Sequence, residues 1–346
     1  MELGIMSFAD MEPEKQAGSG ISAHQRIKDL MEEIQLADQL DLDVFGIGEH
    51  HRPDYAVSSP EVILGAAAII TKNIKLTSAV TVLSSDDPVR VYQAFATVDQ
   101  LSDGRVEIMA GRGSFIESFP LFGYNLDDYE GLFTDKIELL LQINKSTKVS
   151  WKGKHRAPIN HLGVYPRAYQ NEIPIWLAAG GTPASAKRAA NLNIPLMLAI
   201  IGGQPEQFVR FINLYKDSCR DLGRTADQIQ FGVNNHFYVG EDAETAANEF
   251  YPYYAQMMDR VGRERGWQPL TRPQFEYLRN PKGALMVGSV QQVVDKILYE
   301  HEIFGNTRFL AQASVGFIPH QKVLKSIELY GTKVVPEVRK ALALSK

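Results

Sequence analysis

The sequence predicts an α/β protein folded as a (β/α)8 TIM barrel with an enlarged insertion after strand seven, and three observations predict it. Short β-branched runs alternate with amphipathic helical runs, the pattern of parallel βα units. Eight such units can be counted along the chain. The 346 residues exceed the roughly 250 of a minimal barrel by less than a second full domain, so residues 1–346 read as one domain.

Glu2 to Phe8 reads as strand one and Ser22 to Leu40 as its helix, with Ser22 as cap and Ile27, Leu30, Ile34 and Ala37 as an apolar stripe. Strand two is Val44 to Gly48. Pro60 opens a helix through Ile70, strand three runs from Ile74 to Leu83, and Pro88 opens helix three to Leu101. Proline suits a first helical turn because its missing N–H would have had no partner there. Val106 to Ala110 is strand four and Asp128 to Asn144 helix four. Ser146 to Ile173, rich in Pro, Gly, His and Tyr, is an excursion before strand five at Ile175 to Ala179; a connection that long usually lies over function or dimer contacts.

Helix five covers about Pro183 to Asn191, strand six Pro195 to Ile200, helix six Pro205 to Leu222 and strand seven Ile229 to Val239. The insertion, residues 241–288, holds Phe250, Tyr251, Tyr253, Tyr254, Trp267, Phe275 and Tyr277, more aromatics than one barrel helix needs, and is a candidate lid. Val290 to Phe304 is helix seven, Arg308 to Ala313 strand eight and His320 to Leu342 a long closing helix. A doubly wound open sheet shares the alternation, but eight units favour closure.

Composition narrows the function. With 45% hydrophobic and 22% charged residues the chain has neither the low hydrophobicity of disorder nor the long apolar run of a membrane helix. Its 36 basic and 41 acidic residues leave a net charge of −5, no basis for holding nucleic acid. Cys219 is the single cysteine, which excludes an intrachain disulfide or multi-cysteine metal site and suits a reducing cytoplasm; its helical setting favours packing over reactivity. Glu2 stands where a secretory signal would carry a basic residue.

In a barrel the loops after the strands gather at one mouth, so polar strand ends are the candidate site. These ends are Glu49-His50-His51, Ser84 to Pro88, Gly111-Arg112-Gly113-Ser114, and Gly180-Gly181-Thr182-Pro183-Ala184-Ser185. The last opens a helix, where unpaired N–H groups and the dipole favour an anion, glycines allow close approach, and Thr182 and Ser185 add hydroxyls. Arg112 is the matching cation for a phosphate. The plainer alternatives are an ordinary Gly-Gly turn and an Arg112 paired with a carboxylate. Glu49, His50 and His51 also invite a metal, but adjacent residues on a strand face opposite ways, so only Glu49 with His51, or His50 alone, would share a pocket; no metal site is expected. No hydrolase elbow, Walker loop or dinucleotide fingerprint is present. Phe8, Phe115, Tyr165, Phe237 and Tyr238 are aromatics for an apolar pocket or for the core.

Six collinear motifs, Phe45 to His51, Asp87 to Arg90, Asp99 to Val106, Ala110 to Gly113, Pro174 to Gly181 and Val287 to Ser289, resemble the luciferase-like flavin-dependent monooxygenases over nearly the whole chain. The resemblance implies reduced FMN as a cosubstrate in the barrel mouth, reacting with oxygen, supplied by a separate flavin reductase, in a homodimer. It implies catalytic roles for His50 and Glu49. Cofactor contacts would come from Arg112, Gly180, Gly181, Thr182 and Ser185, and from Ala79 and Val80, where such proteins often have a non-prolyl cis peptide beneath the ring. His51, the second histidine of Glu49-His50-His51, has a structural reading instead. Gly111 stands where the luciferase subunit has a reactive cysteine, so light emission is not implied. Within the same resemblance, a deazaflavin coenzyme used for hydride transfer and a non-catalytic flavin-binding protein remain the alternatives. A metal-dependent hydrolase is the third.

Overall fold

The computed structural model describes residues 1–12, 21–113 and 115–344; Ser114, at the predicted end of strand four, lies outside them. Eight parallel strands form a ring: β1 (Glu2–Ser7), β2 (Val44–Ile47), β3 (Lys75–Ser78), β4 (Val106–Gly111), β5 (Ile175–Ala179), β6 (Leu196–Ala199), β7 (Phe231–Gly240) and β8 (Arg308–Ser314). Each pairs with the next in chain order and β8 pairs with β1, so the ring closes and the open-sheet alternative falls.

Helices α1 (Ala23–Gln39), α2 (Pro60–Ile70), α3 (Pro88–Leu101), α4 (Tyr129–Lys145), α5 (Pro183–Leu192) and α6 (Val209–Asp221) follow the first six strands. Their starts have local causes. Ser22 Oγ accepts the Gln25 N–H at 3.2 Å, Asp87 accepts the Val89 N–H at 2.9 Å, and Pro60, Pro88 and Pro183 each stand in a first turn.

Three expectations need correction, and the excursion gains a hairpin. Strand three is not continuous: β3 stops at Ser78, the Ala79–Val80 peptide is cis, and Thr81–Val82 resumes pairing against Ala110 and Gly111. The excursion at 146–173 contains an antiparallel hairpin, Lys148–Trp151 with Ile159–Gly163. Predicted helix six begins as a 3-10 turn over Pro205–Phe208. The closing helix is two helices, α10 (His320–Leu329) and α11 (Val335–Leu344), joined by a π turn over Tyr330–Val334. Gly331 in that turn lies so near α1 that a Cβ there would meet Leu40 Cβ at 2.7 Å.

The insertion is mostly helical. α7 (Ala243–Arg265), 23 residues long, is capped by Asp242 and ends on left-handed Gly266; α8 (Arg272–Leu278) follows, and Met286–Ser289 adds a strand along Phe237–Gly240 of β7 before α9 (Val290–Phe304). Three of its seven aromatics, Phe250, Tyr254 and Phe275, are buried core, with Phe250 stacked on Tyr254 at 5.2 Å and on Phe275 at 6.3 Å, while Trp267 and Tyr277 are exposed. Cys219 is fully buried, as expected for packing.

The apolar interior has two parts. Met6, Val44, Met109, Trp176, Met197 and Leu310 fill the barrel, while a larger cluster joins ring to helices. The lower end of the barrel is closed by Arg308, whose side chain is 1% exposed, lies 4.1 Å over the Trp176 ring, and donates to both Glu107 oxygens at 2.6 and 3.0 Å and to Glu2 at 2.7 Å. Space for a ligand is left at the opposite end, where the loops after the strands gather. Among the described residues no helix is long and apolar enough to cross a membrane.

Candidate active site

A cavity of about 800 Å³ opens at that end, within the range of small-molecule and cofactor sites. Met6, Ala79, Met109 and Met197 line it from the barrel interior. Of the predicted residues, Glu49, His50, Ala79 and Val80 line it, as do Arg112, Gly180 and Thr182; Gly181 and Ser185 stand behind them.

One end of the cavity brings together the residues expected to hold a phosphate. Gly181 has φ +102°, a conformation closed to other residues at low cost, and a Cβ there would also press on Phe208 at 3.1 Å. The first turn of α5 has no side-chain cap, and the Cβ position of Gly180 faces open space. Thr182 and Ser185 are joined hydroxyl to hydroxyl at 2.8 Å, and Arg112 Nη2 reaches Ser185 Oγ at 3.5 Å. Ser185, 2% exposed, therefore steadies Thr182 and Arg112 from behind.

Arg112 also hydrogen-bonds Glu130, which takes Arg188 Nη2 at 2.7 Å. Burial works to raise the Glu130 carboxyl, but Arg188 and Arg112 outweigh it and hold it below the usual range. Both predicted alternatives for Arg112 thus coexist: it reaches the helix start and it is paired with a carboxylate. Arg188 was not singled out from sequence, because a cation on a surface helix looks like solvated charge.

A hydrophobic shelf adjoins this end. Ala79, Val80 and Met109 form it, and a Cβ at Gly111 would meet Val80 Cγ2 at 2.7 Å, so the side-chain-free residue leaves the shelf intact. Glu49 holds the shelf from beneath. Its Oε2 accepts the Val82 N–H at 2.8 Å and its Oε1 pairs with His51 Nε2 at 2.9 Å. That hydrogen bond raises the pKa of His51, against burial. The ring of His51 lies edge-on to Phe122 at 5.0 Å, and His51 does not line the cavity.

His50 belongs to the other end. The chain leaves β2 at Ile47, so strict alternation no longer applies and both Glu49 and His50 border the cavity. The His50 ring packs against Phe8 at 4.7 Å, Tyr55 at 4.2 Å and Phe115 at 5.3 Å. Its Nε2 is buried with no partner among the described residues. Burial, then Arg52 and His51, pushes its pKa down to about 3, so the imidazole is neutral at physiological pH.

Sequence reasoning missed Asp10, Tyr55, Asn234, His236 and Gln312, all lining this region. Burial lowers His236 to about 4. The available signal was polar residues inside apolar strands: Asn234 and His236 alternate inward, while Asn235 turns outward to Glu300 at 2.8 Å. Of the aromatics named from sequence, Phe8 and Phe115 line the cavity, Phe237 and Tyr238 are core, and Tyr165 is exposed elsewhere. From the insertion, Met257, Met258, Val261, Arg265 and Trp267 cover the mouth. Arg52, bonded to Glu264 at 2.9 Å, ties that cover to the loop after β2.

A closed barrel with one large cavity at the mouth where the loops after the strands gather has the architecture of an α/β-barrel enzyme. The luciferase-like monooxygenase family matches residues 1–307, and the chain belongs to it: an oxidoreductase that acts with incorporation of oxygen. It is 22% identical to the alkanal monooxygenase alpha chain of Photobacterium leiognathi, over 92% of this chain and 95% of that one. To the 4-hydroxyprotoasukamycin monooxygenase of Streptomyces nodosus it is also 22% identical, over 90% and 88%. Among solved structures, a Streptomyces bottropensis monooxygenase superposes with TM-score 0.84 at 22% identity, covering 97% of this chain and 99% of that one. The oxygenating constituent of 3,6-diketocamphane monooxygenase from Pseudomonas putida, in complex with FMN, gives 0.79 at 19% identity over 98% of both.

Proposed function

We propose that this enzyme binds reduced FMN in the cavity and uses it with molecular oxygen on a small organic substrate, the reduced flavin coming from a separate reductase. The observation that carries the reading is the placement, around one cavity, of an uncapped helix start with Arg112, a flat apolar shelf, and a buried His50 whose Nε2 lacks a partner. These residues fit the group. Gly180, Thr182 and Arg112 would hold the phosphate, with Gly181 shaping the turn and Ser185 behind it. Ala79 and Val80 would support the ring, with Glu49 as their positioning residue.

When bound and reduced, the flavin supplies the electrons for oxygen chemistry. The chain supplies the rest. The methionine-lined floor and the α7 cover exclude water. His50, neutral and desolvated, is placed to accept a proton at Nε2 when negative charge develops beside it, since an adjacent anion raises its proton affinity. The exposed apolar side chains Val62 and Ile69 on α2 support pairing with a second copy.

The cradle gives a direct test by fluorescence titration. Arg112→Ala is expected to weaken FMN binding about 10- to 100-fold, the worth of one charge-assisted contact to phosphate. Glu130→Gln is expected to tighten it by about two- to fivefold, since a competing carboxylate is removed from Arg112 and Arg188. Unchanged affinity in both variants would put the phosphate elsewhere.

A second reading, a deazaflavin coenzyme used for hydride transfer, is favoured by relatives that use coenzyme F420. A secondary alcohol dehydrogenase dependent on coenzyme F420 superposes with TM-score 0.75 at 17% identity, over 97% of this chain and 98% of that one. Tight binding of that coenzyme with no oxygen uptake would favour it.

A further inference from the structure

The two ends of the cavity differ in chemistry. Opposite the anion cradle, Phe8, His50, Tyr55 and Phe115 pack ring against ring with centroids 4.2 to 6.3 Å apart. Asp10 stands beside them, its backbone bridged to Tyr55. It lines the cavity and is 3% exposed. One carboxylate oxygen, Oδ1, accepts the Gly316 N–H at 3.0 Å; the other, Oδ2, has no partner among the described residues. Leaving a buried carboxylate oxygen without a donor is costly, and nothing in the flavin reading uses it.

We infer that Asp10 and this ring cluster select a substrate bearing an amine, whose ammonium donates to Asp10 Oδ2 while its carbon frame packs on Phe8 and Tyr55, Phe115 already lying under the Arg52 and Arg265 guanidiniums. This inference rests on the opposite end being the flavin site. Aromatic faces attract cations, and an ammonium–carboxylate hydrogen bond is among the stronger contacts available in a desolvated pocket.

The cations already near Asp10 have carboxylates of their own. Arg26 donates from Nε to the Asp10 carbonyl at 3.1 Å, but its Nη1 is bonded to Glu33 at 2.9 Å. Arg260 Nε lies 3.0 Å from Asp54, and Arg260, though its Nη2 lacks a partner, does not line the cavity. His50 adds no charge. Burial raises the pKa of Asp10 to about 7, opposed by the Gly316 N–H, Arg26 and Arg260. A bound ammonium favours the ionised form, so binding releases a proton below about pH 7 and tightens as pH rises through that value. Arg265, whose guanidinium lies 5.5 Å over Phe115 and 5.2 Å over Trp267, also lines the cavity and makes an anionic substrate the competing outcome.

The test is calorimetric titration of the full chain with benzylammonium, benzyl alcohol and benzoate. Benzylammonium is expected to bind at least about tenfold tighter than benzyl alcohol, the order of one charge-assisted hydrogen bond. At about pH 6.5 its binding should release a proton, read from heats in buffers of different ionisation enthalpy. Asp10→Asn should abolish both the preference and the proton release while still binding benzyl alcohol, which shows that the variant is folded. Equal binding of benzylammonium and benzyl alcohol, tighter binding of benzoate, or a preference that survives Asp10→Asn would each overturn the inference. Should the variant not fold, the preference and proton release of the unaltered chain still decide the matter. FMN titration of that chain is independent: FMN binding without an ammonium preference overturns this inference alone, and the preference without FMN binding overturns the flavin reading alone.

Discussion

Replacing His50 with glutamine is expected to cut oxygen-coupled turnover by about 10²- to 10⁴-fold, the usual worth of a positioned general base or acid. FMN affinity should change by less than about threefold, since the cradle is untouched. The glutamine fills much of the same space and keeps hydrogen-bonding atoms but cannot take up a proton. The prediction follows from the site: a neutral imidazole, buried between three rings, with Nε2 unpartnered at the cavity. Because burial, Arg52 and His51 hold its pKa near 3, turnover should show no His50 ionisation between about pH 5 and 8. Retained turnover in the glutamine variant, or equal losses of turnover and flavin binding, would reduce His50 to a packing residue.

Glu107→Ala is expected to destabilise the fold by about 3–5 kcal/mol, the penalty for stranding a buried charge. Arg308 would keep Glu2 but lose both bonds to Glu107, at the closed end of the barrel where its side chain is 1% exposed. For a chain of 346 residues this corresponds to a drop of roughly 4–7 °C in Tm, measured by circular dichroism. The double replacement Glu107→Met with Arg308→Met removes both charges and should recover most of the loss. FMN affinity should be unaffected in the folded variants, since this plug lies at the end opposite the cavity. A shift under about 1 °C for Glu107→Ala would mean that water reaches Arg308.

Much of the fold was legible because each βα unit carries its own signals, as with Ser22 before α1 or the prolines opening α2, α3 and α5. The break after Ser78 was not legible in the run itself, where the strand pattern continues from Lys75 through Val82; only the family resemblance pointed to the cis peptide at Ala79–Val80 that the structure has. The grouping of Gly180 to Ser185 with Arg112 at the cavity was readable from sequence, since a glycine turn and a helix start are neighbours in the chain and both follow barrel strands. The other end of the cavity was not. Asp10, Tyr55, His236 and Gln312 meet only when the ring closes, and each alone looks like a buried polar residue of a strand or loop. Glu130 and Arg188 were hidden for the opposite reason, as charges on surface helices: that Glu130 bridges Arg112 and Arg188 depends on how α4 and α5 pack.

The central claim is that the cavity presents reduced flavin to oxygen. The measurement that tests it most directly is oxygen uptake by the purified chain mixed anaerobically with photoreduced FMN and then exposed to air, with flavin absorbance followed on the same sample. Reoxidation kinetics clearly altered from those of flavin in solution, and further changed by an added amine substrate, is the predicted result. Confirmed FMN binding with reoxidation identical to flavin in solution would contradict it.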